Sequence, residues 1–270
     1  MRHSLSGFAR LLPTLRTAPR LLLASLTLGL LLGLPPAQAD SPNSAPGDLK
    51  TALAEIDEAA NSKNLQGVLQ YYSSTFTDGN GLNRSGLEQN LTALWKRFPK
   101  LTYRTELQSW KREGAAIVAE TITTMKGNQV LQGRTMTLQA TIRSLQYVEN
   151  NHIFQQSILS ERSQLTSGTK PPTVVLNLPE KVKAGQEFQF DAIVKEPLGD
   201  GLLLGGVYEK PVSPQHYLEK LPDDLDLLTA GGVFKVGKAP TTPQDLWISA
   251  VFIRQDGMNL ITQRLQVVSR

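Results

Sequence analysis

The chain of 270 residues contains no cysteine. That absence excludes disulfides, thiolate-held zinc, iron–sulfur clusters, cysteine nucleophiles and lipid attachment through an N-terminal cysteine. Histidine is almost as scarce, with three in all. His3 lies at the start, and His152 and His216 stand far apart, so no metal-ligand spacing can be drawn. No Gly-x-Ser-x-Gly elbow and no readable Ser-His-Asp arrangement occurs. These residues call for no cofactor and no metal.

Acidic residues are missing from the first 39 positions, which carry Arg2, Arg10, Arg16 and Arg20. Leu21 to Leu34 follow as an apolar run, and Ala37-Gln38-Ala39 closes it with a small-x-small pattern. Basic, then apolar, then small is the order of a cleavable secretory signal. The apolar run is short for a bilayer span, which needs roughly 20 residues. The expectation is a signal over residues 1–39, a mature chain from Asp40, and export to a periplasm or the medium, with a thylakoid lumen equally compatible. The formal charge of +4 belongs to those four arginines. Without them, 24 basic residues face 24 acidic ones. The basic pI therefore gives no nucleic-acid footprint. No later apolar run approaches a membrane span, so none is expected in the mature chain.

Breaks in composition divide what remains. Residues 40–47 are rich in Ser, Pro, Asn and Gly and read as a flexible leader. Ser167-Gly168-Thr169-Lys170-Pro171-Pro172 reads as a linker, separating a domain over 48–166 from one over 173–270. In the first, Leu49, Ala52, Leu53, Ile56, Ala59 and Ala60 have helical spacing behind Asp48 as N-cap. Leu65, Val68, Leu69 and Tyr72 predict a short second helix. Ser85-Gly86-Leu87-Glu88 reads as a capping box for a third, with the stripe Leu87, Leu91, Leu94, Trp95 and Phe98. Four strands follow at about 101–111, 114–125, 130–148 and 151–165. Their turns fall at Lys111-Arg112-Glu113-Gly114, Lys126-Gly127-Asn128-Gln129 and Glu149-Asn150-Asn151. Long antiparallel strands curl, and a curled sheet with helices at one end makes a cone around a pocket.

Three helices, a Thr75-Phe76-Thr77-Asp78-Gly79 turn before the third, and a four-strand meander resemble the NTF2-like superfamily, most nearly its SnoaL-like branch. The segments carrying the resemblance are Ala54-Glu55-Ile56-Asp57-Glu58-Ala59 through Tyr71-Tyr72, the turn itself, and Ser85 to Leu91. It covers about residues 48–165 and is architectural, with no catalytic motif. Ketosteroid isomerase in that superfamily uses a strand acid with a Tyr and a protonated Asp. No trio in matching order is found here. After Pro171, strands at 173–178, 187–194, 202–209, 233–236, 246–253 and 260–268 suggest an immunoglobulin-like sandwich. Val182-x-Ala184-Gly185-Gln186-x-Phe188 resembles the first turn of such modules. The expected fold class is thus α+β: an NTF2-like cone of three helices on a curled antiparallel sheet, plus a C-terminal all-β immunoglobulin-like sandwich.

Eight residues are candidates for the cone's pocket. Tyr72, Trp95, Tyr103, Trp110 and Tyr147 could line it, or simply fill the core. Asp78 could be a general base, although Asp-Gly is first a turn signature. Glu120, in mid-strand, would act as a base if it faced a dry interior. His152 opens the last strand of the meander beside Asn150 and Asn151. No orienting partner can be read beside any of the three titratable residues. The expected function is an exported binding or assembly protein without catalysis. It would hold a small apolar ligand or dimerise through its sheet, with a protein partner on the second domain. The alternative is a SnoaL-like isomerase or hydrolase of a small organic substrate.

Overall fold

The computed structural model describes residues 39–199, 201–216 and 224–269. All of the expected signal except Ala39 lies outside the described residues. Helix α1 spans Gly47–Asn61, begins after Pro46 and carries Asp48 in its first turn, where the helix dipole favours an acid. Its stripe of Leu49, Ala52, Leu53, Ala59 and Ala60 is buried. Helix α2, Leu65–Leu69, is held by Asn64, whose Oδ1 accepts the Gly67 N–H at 2.9 Å. Tyr72 does not extend it but opens a strand, β1, Tyr72–Asp78. Helix α3, Arg84–Arg97, has its N-cap two residues before the Ser85 of the expected capping box, because Asn83 Oδ1 accepts the Gly86 N–H at 2.9 Å.

The meander runs β2 (Thr102–Glu113), β3 (Ala116–Leu131), β4 (Arg134–Glu149) and β5 (His152–Gly168). The Asn150-Asn151 turn is found, with φ of 50° and 61°. The expected turn at Lys126 to Gln129 is not, since those residues lie inside β3 and the chain reverses at Gln132-Gly133. Gly127 answers to packing instead. A Cβ there would come within 2.8 Å of the Leu101 side chain. The C-terminal strands are β6 (Val174–Asn177), β7 (Lys181–Lys183), β8 (Glu187–Val194), β9 (Leu204–Pro211), β10 (Asp226–Leu227), β11 (Gly232–Lys238), β12 (Gln244–Arg254) and β13 (Gly257–Val268).

The expected fold class, an NTF2-like three-helix cone followed by a separate immunoglobulin-like sandwich, is corrected by the pairing of these strands. β5 runs on through Ser167 and Gly168 and pairs antiparallel with β13 over seven positions, from Arg162↔Gln263 to Gly168↔Gly257. One ten-stranded, mostly antiparallel sheet results, in the order β10-β9-β12-β13-β5-β4-β3-β2, with β1 beside β5 and β7 beside β13. The physical reason is that β5 shares one edge between two partners. Its first half takes β1 in parallel, and its second half takes β13. A smaller sheet, β11-β8-β6, lies over the C-terminal part. Phe190 and Ala192 of β8 meet Ile248, Ala250 and Phe252 of β12 and Ile261 and Leu265 of β13 in one buried cluster.

Strand register assigns the faces, since residues directly opposite share one. Leu138, Leu165 and Leu260 are in register across β4, β5 and β13. Leu138 and Leu165 pack with Trp95, Phe98 and Leu101 under the helices. By the same register Thr262 and Arg264 of β13, and Asp245, Trp247 and Ser249 of β12, lie on that helix-bearing face.

Candidate functional site

A groove of about 840 Å³, open to solvent, lies between α1 and β2. Leu53, Ala54, Asp57 and Asn61 form one wall, and Tyr103, Thr105 and Leu107 form the other, with Lys50 and Glu58 also lining it. β2 is the last strand of the large sheet, so its outward backbone groups need partners. Helix α1 supplies them. Asn61 Oδ1 accepts the Tyr103 N–H at 2.7 Å, and Asn61 Nδ2 donates to the Tyr103 carbonyl at 3.0 Å. Asp57 accepts the Thr105 N–H at 2.5 Å and the Thr105 hydroxyl at 2.7 Å. Spacing makes this possible. Four helical residues rise about 6 Å, close to the roughly 6.8 Å between alternate strand residues.

At one end of the groove the Trp95 indole N–H donates to Tyr103 Oη at 2.9 Å. Lys63 Nζ sits 5.7 Å from the centroid of each of those rings. It donates to the Ala60 carbonyl at 3.2 Å and to the Leu101 carbonyl. Burial lowers the Lys63 pKa. Burial pushes the Tyr103 hydroxyl up to about 12, against the opposing pull of the Trp95 hydrogen bond.

Of the eight candidates, only Tyr103 lines this groove. Tyr72 packs under the helices, edge-on to Phe76 at 4.9 Å. Burial first, and the Asp57 charge second, raise its hydroxyl to about 12. Tyr72, Trp95 and Tyr103 therefore gather around one cluster. Trp110 packs on a neighbouring one, its indole N–H donating to Ser44 Oγ at 3.2 Å. Asp78 is buried, and its Oδ1 accepts the backbone N–H of Asn80 and of Leu82, each at 2.8 Å. That is a turn-holding role. Glu120 projects from the face away from the helices, opposite the one that carries Ala119 and Thr121. Its Oε1 accepts from Arg143 Nε and Nη2, both at 2.6 Å. Tyr147 shares that outer face and stands 6.2 Å from the Phe154 ring. His152 is exposed, with Nδ1 2.7 Å from the Asn150 carbonyl.

The structure also assembles a cluster that sequence reasoning missed. Arg264, 2% exposed, lies between two carboxylates. Nη2 and Nε donate to Glu161 Oε2 at 2.7 and 3.1 Å, and Nη1 donates to Asp245 Oδ2 at 2.8 Å. The Trp247 indole N–H donates to the same Glu161 oxygen at 3.0 Å, and its ring lies 5.9 Å from the guanidinium. Asn80, with its amide oriented to satisfy both atoms, donates to Asp245 at 3.2 Å and accepts from Arg264 at 2.8 Å. The turn that Asp78 holds thus delivers Asn80 to β12 and β13. The only sequence signal was a charge at Arg264 inside the strand expected from Leu260 to Val268.

Residues 169–268 match a family model described as Domain of unknown function (DUF8623). No curated protein gives a significant match. Among solved structures, Bd1075 of Bdellovibrio bacteriovorus is 12% identical over 41% of this chain, with a TM-score of 0.30, and the match spans 38% of that protein's length. A loop-truncation variant of IdmH is 15% identical over 40% of this chain and 89% of its own, at 0.29. An LEH-like epoxide hydrolase of M. tuberculosis is 10% identical over 41% and 80%, at 0.30. At these scores the likeness carries nothing about its chemistry.

Proposed function

We propose that this chain is an exported, non-catalytic binding protein, and that the groove between α1 and β2 holds a small ligand with a largely apolar body. The groove is the observation that carries this reading. Its size falls within the few hundred to roughly 1,000 Å³ typical of ligand sites. Leu53, Ala54 and Leu107 offer apolar contact, while Lys50, Glu58 and the Tyr103 hydroxyl offer polar anchors. Asp57 has both oxygens committed to Thr105, which suits a wall better than a base. Asp78 and Glu120 are likewise committed, to a turn and to Arg143. Export rests on the order of residues from Arg2 to Ala39.

The experiment uses the chain from Asp40 onward, 1-anilinonaphthalene-8-sulfonate as probe, and a Leu107→Glu variant. Saturable one-to-one binding, weakened at least tenfold by the charge, is expected. Binding indifferent to Leu107→Glu removes the groove from the argument. A second reading, isomerisation or hydrolysis of a small organic substrate, is favoured by the Arg264 cluster, where a buried guanidinium orients two carboxylates. A turnover screen on small ketones, epoxides and esters with Asp78→Ala, Glu120→Gln, His152→Ala and Glu161→Gln decides between them. A fall of about a hundredfold in one variant, the lower range for loss of an acid–base group, would establish an enzyme.

A further inference from the structure

The segment that follows the expected cleavage point is built into the sheet. The Asp40 N–H donates to the Trp110 carbonyl at 2.7 Å, and the Trp110 N–H donates back to the Asp40 carbonyl at 3.2 Å. This antiparallel bridge sits on the outer edge of β2. Around it, Pro42–Ser44 form a 3-10 turn with Ser41 as its cap. Lys50 Nζ donates to the Asn43 carbonyl at 2.8 Å, and Ala45 is buried against Leu49 and Leu53. Three devices therefore close one strand edge in sequence: Asn61 on Tyr103, Asp57 on Thr105, and Asp40 on Trp110. An open edge is a template for pairing with another chain, so each device has a reason to exist.

We propose that cleavage between Ala39 and Asp40 makes the new α-ammonium of Asp40 a structural group, a charged clamp on the Trp110 carbonyl that seals the edge of β2. The inference rests on the export reading given above. Hydrolysis of that peptide bond leaves a carboxylate on Ala39 and an amine on Asp40, which is protonated near neutral pH. A neutral amide donating to a carbonyl becomes an ammonium donating to it, and charge-assisted hydrogen bonds are roughly twice as strong as neutral ones. The other bond of the bridge, from Trp110 to Asp40, needs no change. A chain that kept residues before Asp40 would hold the same place with a neutral donor. One that began at Ser41 would lose the pair. The cleavage register therefore matters to the fold of the mature protein and not only to its release.

The test compares three forms of the chain at pH 6.5: one that begins at Asp40 with a free amine, one with that amine acetylated, and one that keeps Ala37-Gln38-Ala39 ahead of it. Amide hydrogen exchange is read at Trp110, with Thr105 as internal control because Asp57 holds it in all three. Exchange at Trp110 about fivefold slower in the free-amine form than in either other form is expected, with Thr105 unchanged. Equal rates at Trp110 in the free and acetylated forms would overturn the clamp. Mass spectrometry of the exported protein supplies the other arm. A first residue of Asp40 supports the proposal. Any other first residue overturns the cleavage reading, whatever the exchange rates show.

Discussion

The two halves of the described chain are stabilised in different ways. Nineteen buried apolar residues of the C-terminal half, from Val174 to Val267, form one continuous cluster between the two sheets. In the helix-bearing half two smaller clusters, of seven and six buried apolar residues, form instead. The first arrangement leaves little room for anything but packing. The second leaves a strand edge that helix side chains must close, and the groove opens beside that closure. Packing is self-contained in the C-terminal half, but strand pairing is not. Every residue of its cluster comes from its own sequence, whereas seven of the twelve residues of β13 pair with β5.

Separating the halves would break the comparison most severely. A fragment of residues 169–270 keeps the whole nineteen-residue cluster and loses the seven-residue ladder to β5. It is expected to melt cooperatively, at a lower midpoint than the full chain, and to associate with rising concentration through the bare edge of β13. Near-ultraviolet circular dichroism from Trp247 and sedimentation velocity read both effects. A molten fragment with no near-ultraviolet signal would show that the cluster is not self-sufficient. Next in size is the tie between the halves. Arg264→Ala leaves Glu161 and Asp245 without their cation and is expected to lower stability by about 3–5 kcal/mol in denaturant unfolding. Replacing all three, as Arg264→Met with Glu161→Leu and Asp245→Leu, is expected to recover most of that loss, because the guanidinium and the two carboxylates are then removed together.

Local features were legible in the sequence, and long-range ones were not. The stripe of α1 and the Asn150-Asn151 reversal follow from spacing and turn chemistry. Gly127 misled, because a glycine demanded by contact with Leu101 reads the same as one demanded by a turn. The break at 167–172 was read from Gly168 and the two prolines. Pro171 and Pro172 do lie beyond β5, since proline has no N–H to give a ladder. Gly168, however, is still paired, and a Cβ there would meet the Asp256 carbonyl oxygen at 2.3 Å. Nothing in the stretch from Gln155 to Ser160 announces that β5 changes partner from β1 to β13. Asp57 and Asn61 lie off the buried stripe of α1, and only the position of β2 at the sheet edge gives them work. Glu161, Asp245 and Arg264 come from three strands whose adjacency depends on that same change of partner.

The smallest effect sharpens the comparison at alkaline pH. Tyr72 and Tyr103 both lie in the helix-bearing half, and burial holds each hydroxyl near 12 against an ordinary value of 10.0. The folded state thus binds those two protons more tightly than the unfolded chain does. Their contribution to stability is complete below pH 10 and is lost as the pH rises toward 12. Spectrophotometric titration at about 295 nm should show two tyrosines ionising late, together with loosening of the helix-bearing half. Tyr72→Phe is the cleaner variant, because Tyr103→Phe would also remove the acceptor of the Trp95 indole N–H. In Tyr72→Phe one late-titrating group should vanish and the alkaline loss of stability should shrink by about half, with the neutral-pH midpoint little changed. If every tyrosine of the native protein titrates together near pH 10, the helices do not keep water from these rings. The contrast between a split core and a continuous one would then need another cause.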